Sequence, residues 1–163
     1  MATIRRSRTF QASAEELWAI VGDAHHLPRW WPRVTRVESV DEDGFTQVLH
    51  TEKGKPVRAD FRVETSAPPC ERSWVQQVTG TPFERILAHS LTRIRLQPEG
   101  DATRVEISIA QRPRGIARLG TFMVRAAAKR QLEEALDGLA ALLGPRVWSA
   151  SAPGPSTDRP AGR

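Results

Sequence analysis

The chain has 163 residues, a net charge of +5 and a single cysteine. That length suits one domain with a real core, so no disulfide or metal staple is needed, and Cys70 alone excludes an intramolecular disulfide. No apolar run approaches the ~18 residues that a spanning helix requires.

Met1 to Phe10 is charged and alternating, and it lacks the apolar core of a signal peptide. With one cysteine, this reads as a cytoplasmic chain in a reducing compartment. Of the 24 basic residues, 21 are arginine. They are spread along the chain, and Arg5, Arg58, Arg62, Arg93 and Arg95 hold alternate strand positions, as on a solvated sheet face. An anionic partner is the other reading of a basic balance. Nucleic acid is not expected: there is no tyrosine, and Trp and Phe are not interleaved with Arg on one strand as a stacking platform needs.

Ile4 to Phe10 alternates and predicts a first strand. Ser13 and Glu16 have capping-box spacing, so a helix starts there, with Leu17, Trp18, Ile20 and Val21 as its apolar face and Gly22-Asp23 as its end. A second short helix or turn, Ala24 to Trp30, runs into Trp31-Pro32. Strands follow over Val34–Val40, Phe45–Glu52, Val57–Val63, Glu71–Thr79, Phe83–Leu96 and Arg104–Gln111, separated by Gly- and Pro-bearing turns. Val57, Ala59, Phe61 and Val63 alternate with Arg58, Asp60, Arg62 and Glu64, giving one dry face. Gly115 to Leu143 reads as one long helix, with Leu132, Leu136, Leu139 and Leu143 as its stripe and Gly144-Pro145 as its stop. The domain is expected to span residues 1–146. Residues 147–163 are rich in Ser, Pro, Ala and Gly and predict a disordered tail.

The predicted class is α+β. One long helix buries itself and a seven-stranded antiparallel sheet only if the sheet curls around it. Such a fold leaves room for a ligand between sheet and helix.

The N-terminal residues also resemble a family. Phe10, Ala12, Glu15, Leu17-Trp18, Val21 and Asp23, then Leu27-Pro28, Trp30 and Pro32, resemble the signature of the START-like (SRPBCC) superfamily, of polyketide cyclase/dehydrase and lipid-transport type. Val34–Val40 and the helix over Leu132–Leu143 continue the likeness, which covers roughly residues 3 to 143. Ser13 departs from it, standing where many relatives have proline; a cap serves the same helix start. The resemblance implies the helix-grip fold and a small hydrophobic ligand, aromatic, polyketide-like or lipid-like. It leaves open a cyclase or dehydratase, a non-catalytic lipid or quinone carrier, and a protein-interaction module.

The residues expected to line the cavity are Trp30, His50, Phe61, Trp74, Gln76, Ser90, Thr92, Ile107, Ile109, Gln111, Thr121 and Arg125. Strand parity places Trp74 with Gln76, Ser90 with Thr92, and Gln111 with Ile107 and Ile109. These neutral hydrogen-bonding groups suit ligand orientation better than acid/base chemistry. His50 shares parity with Val48 and is the first inward polar candidate; a satisfied core histidine is the plainer reading. Arg125 projects to the leucine side of the helix, where a buried guanidinium would need an anion; the plainer reading is that it snorkels outward. Adjacent Trp30 and Trp31 are expected to face opposite ways. His25-His26 reads as a solvated pair. No His/Cys cluster has metal-ligand spacing, so neither metal nor cofactor is expected. The predicted partners are one small hydrophobic ligand, no inserted membrane, and either no second copy or one.

Overall fold

The computed structural model describes residues 1–51 and 53–144. The predicted tail lies outside them. The element order is β1 (Ala2–Phe10), α1 (Ala14–Val21), α2 (Leu27–Trp30), β2 (Val34–Glu38), β3 (Gly44–His50), β4 (Pro56–Ala67), β5 (Glu71–Gln76), β6 (Leu87–Glu99), β7 (Ala102–Pro113) and α3 (Thr121–Leu143). All seven strands form one curved antiparallel sheet in the order β1-β7-β6-β5-β4-β3-β2. This is the helix-grip arrangement expected from the sequence.

Local chemistry starts the elements where the sequence places them. Ser13 Oγ accepts from the Glu16 amide (3.1 Å) and Glu16 Oε2 from the Ser13 amide (2.9 Å), closing the capping box of α1. In α3, Leu132, Leu136 and Leu139 are fully buried against Ile94, Val105 and Ile107 of the sheet. Each such leucine contributes about 1.5–3 kcal/mol. Arg6 and Arg8 on β1 reach Glu133 (3.1 Å) and Asp137 (2.9 Å), one turn apart on α3. On the outer face Arg36 and Arg58 share Glu38, and Arg93 and Arg95 share Glu71. The arginines there are a solvated, ion-paired surface, as their spacing predicts.

Three expectations need correction. The long helix begins at Thr121, because Gly115 takes a left-handed φ of 60° and residues Gly115–Arg118 make a separate 3₁₀ turn. The strand predicted from Phe83 begins at Leu87. Thr81 caps a 3₁₀ turn over Pro82–Arg85, with proline at its start, and this holds Phe83 out of the sheet. Trp30 and Trp31 are both buried, edge to face at 5.3 Å. Trp30 ends α2 and Trp31 is extended (ψ 128°), so the backbone turns between them and both rings enter the core.

Arg72 on β5 pins α1 to the sheet. It is buried, and its Nη1 donates to the Gly22 carbonyl at the end of α1 (2.6 Å). Burial pulls its pKa below the ordinary value, and Asp23 opposes this. Arg72→Ala leaves that carbonyl without its charged donor, and a loss of about 1.5–3 kcal/mol is expected in urea unfolding. An unchanged midpoint would show that α1 does not depend on this contact.

Candidate functional site

A cavity of about 550 Å³ lies between one flank of α3 and the turn end of the β3–β4 hairpin. Ala126, Ala127, Arg130, Gln131 and Glu134 form the helical wall. Leu49, His50, Thr51 and Val57 form the hairpin wall, and Pro32, Arg33 and Phe83 close the sides. Leu49 and Val57 are directly paired across β3 and β4 on the inner face. The space exists because alanines, not leucines, face it from α3. Around the helix from that flank, Leu132, Leu136 and Leu139 are buried against the sheet.

The cavity has apolar walls and a polar rim. Leu49, Val57, Phe83, Ala126 and Ala127 supply the walls. Arg33 stands at the rim with a left-handed φ of 66°, a conformation that costs a non-glycine residue about 1–2 kcal/mol. Arg130 pairs with Glu134 at 2.7 Å, one turn on. Gln47 lies two residues before Leu49 on the same face of β3 and is buried, and its Nε2 has no hydrogen-bond partner. It does not itself line the cavity.

The residues expected from the sequence separate into three places. His50 lines the cavity, but it is exposed on the rim rather than inward. Its parity with Val48 is real, yet Phe45, Gln47 and Leu49 are the inner set of β3, and His50 belongs to the other face. Ile109, Gln111, Thr121 and Arg125 border a crevice of about 10 Å³ at the β1–β7 edge, room for about one water. Arg125 there is exposed, because an open hollow at this edge lets its long side chain carry the guanidinium to water. Trp30, Phe61, Trp74, Ile107, Ser90, Thr92 and Gln76 lie in or against the packed middle. Trp74 meets Trp31 and Phe45 edge to face (5.8 and 5.7 Å), Phe61 stacks on Phe45 (5.4 Å), and Gln111 Nε2 donates to Ser90 Oγ (3.4 Å).

Sequence reasoning missed the helical wall and Phe83. Gln47 could have been found from its alternation with Phe45 and Leu49. His25 is engaged elsewhere: Asp23 Oδ1 accepts from its backbone amide (2.9 Å) and contacts its Nδ1 (2.8 Å) on the surface. Burial, the first influence on Asp23, raises its pKa, but these hydrogen bonds and the nearby histidine charges bring it below the ordinary value. Among the described residues no three His, Cys, Asp or Glu side chains are placed to hold a metal ion. No helix there is long and apolar enough to cross a membrane.

Solved structures share this architecture. A conserved protein from Geobacillus kaustophilus is 18% identical with a TM-score of 0.73, covering 90% of this chain and 98% of its own. A START superfamily protein from Mycobacterium smegmatis is 17% identical with a TM-score of 0.68, covering 86% and 95%. The di-domain ARO/CYC BexL of the BE-7585A biosynthetic pathway is 20% identical with a TM-score of 0.68 over 89% of this chain and 48% of that one. At these identities the likeness is one of fold. Among curated proteins, none matches the sequence. The family described as polyketide cyclase / dehydrase and lipid transport matches residues 1–144, the whole of the described fold, and the chain belongs to that family.

Proposed function

We propose that the protein binds a small, largely apolar ligand with an acidic or hydrogen-bonding end, polyketide-like or lipid-like, in the cavity beside α3. The observation that carries this reading is the cavity itself. About 550 Å³ falls within the ~300–1,000 Å³ range of small-molecule sites, and its apolar walls are edged by Arg33, His50 and Arg130. The strained Arg33 backbone at its rim supports it, since such strain clusters where ligands are held.

The probe for this reading is 1-anilinonaphthalene-8-sulfonate, an apolar aromatic anion. Saturable fluorescence enhancement is expected with the native chain. Ala127→Trp, at an exposed helical position on the cavity wall, should fill the space and weaken binding about tenfold or more without lowering the melting temperature. Equal binding by both proteins would sink the assignment. Native mass spectrometry of protein purified from its own host then names the ligand class.

Cyclisation or dehydration of a bound chain is a second reading, favoured by His50, the one imidazole on the cavity wall. An imidazole there could move a proton while the cavity confines the substrate. A carrier keeps its binding and shows no turnover. An enzyme loses turnover and keeps binding in His50→Ala.

A further inference from the structure

Residues 107–132 contain six basic side chains and no acidic one. This run holds the end of β7, the 3₁₀ turn Gly115–Arg118 and the first half of α3. It also carries four large apolar side chains that the fold leaves in water: Ile116, Leu119, Phe122 and Met123 are 86%, 92%, 83% and 74% exposed. On α3, Met123 lies opposite the leucine stripe, and Phe122, at the edge of that stripe on the first turn, is left exposed all the same. Such a cluster is unusual on a free surface and marks an interaction site.

We infer that this corner docks on an anionic lipid surface. Arg112, Arg118 and Arg125 line one open hollow of about 460 Å³ at the β1–β7 edge, and no carboxylate lines it. None of these three forms an ion pair among the described residues, unlike the arginines of the outer sheet face. A guanidinium group of this kind suits phosphate oxygens, which it meets through paired hydrogen bonds. Ile116 and Leu119 flank Arg118 on the turn, and Phe122 lines a neighbouring open hollow together with Arg125 and Lys129. Bilayer interfaces take this combination: apolar side chains enter the headgroup and acyl boundary while arginines meet the phosphates. A second copy of the chain fits less well, because a twofold interface would set this all-positive patch against itself. Nucleic acid fits less well too, because three of the four apolar side chains are aliphatic and offer no base-stacking surface.

This docking is independent of the ligand reading, although Ala126 joins the two surfaces by lining the cavity one turn from Phe122 and Met123. It concerns attachment to a surface, not insertion. The test is flotation of the full chain with vesicles of phosphatidylcholine alone and with about a third phosphatidylglycerol. Binding is expected on the anionic vesicles only, and it should weaken as salt is raised. Leu119→Ser with Phe122→Ser should lower the apparent affinity about tenfold or more. Arg118→Glu with Arg125→Glu should do the same, about fivefold or more per arginine. All four positions are in the exposed corner, so the melting temperature should be unchanged. Failure to bind anionic vesicles, equal binding to both compositions, or indifference to both pairs of substitutions would overturn the inference. So would a concentration-dependent dimer that the Leu119→Ser and Phe122→Ser pair dissolves while vesicle binding is absent.

Discussion

Gly138→Ala is expected to destabilise the protein by about 2 kcal/mol, although alanine is the better helix former by about 1 kcal/mol. The reason is the closeness of two backbones. A Cβ at position 138 would stand 2.3 Å from the Trp30 carbonyl oxygen and 2.9 Å from the Trp30 Cα. No side-chain rotation relieves a clash with backbone. Either α2 lifts, taking Leu27, Trp30 and Trp31 out of the core, or α3 shifts away from the sheet. Overpacking of this kind costs about 1–3 kcal/mol, and an immovable partner puts it at or above the upper end. The helix-propensity gain of alanine offsets part of that. For a chain of this size the net loss corresponds to a fall of about 4–8 °C in melting temperature. A rise in melting temperature would show that α2 does not pack this closely, and would remove the floor on which Pro32 and Arg33 are set.

The larger loss is expected for Trp74→Ala, at about 3–5 kcal/mol in urea unfolding. Trp74 is 2% exposed at the centre of the sheet and stands edge to face with both Trp31 and Phe45. Each such aromatic contact adds about 0.5–1.5 kcal/mol beyond the buried area. Set against a typical total of about 5–15 kcal/mol, the variant would be marginal at physiological temperature. Trp74→Phe should recover much of the loss by refilling most of the space. The experiment also decides between two positions for the ligand. If the middle of the sheet were an open chamber, the cavity part of the cost would fall away and the loss would stay below about 3–5 kcal/mol. A cost near the full value shows that the middle is solid and that space is confined to the end near Ala126 and Ala127.

Much of this molecule is written in local chemistry. The Ser13–Glu16 cap, the alternation of Val57 to Val63 with charged residues, and the spacing of Leu132, Leu136 and Leu139 each depend on neighbours a few residues apart. Local geometry of that kind repeats reliably, so the elements, their order and the helix-grip fold follow from reading the chain. Two local signals override the longer pattern. Thr81-Pro82 is a cap and a helical first position, and it takes Phe83 out of the strand. Gly115 and Gly120 divide what periodicity alone runs together.

The site is another matter. Strand parity correctly groups Trp74 with Gln76 and Ile107 with Ile109, but it does not say whether an inward side chain meets a ligand or another side chain. That depends on how much volume the opposing element brings, which is a tertiary quantity. Where α3 presents leucines, Trp74 and Ile107 are packed solid. Where it presents Ala126 and Ala127, a gap remains, and that gap is walled by a helix flank off the leucine stripe. The same reasoning explains Arg125. Its angle around the helix follows from the sequence, but its exposure follows from the open hollow left where the start of α3 meets the β1–β7 edge. The sequence by itself determined which residues form the sheet, the grip and the apolar faces. Only the tertiary structure decided where those faces fail to touch, because a cavity is set by the shapes of two surfaces that lie far apart along the chain.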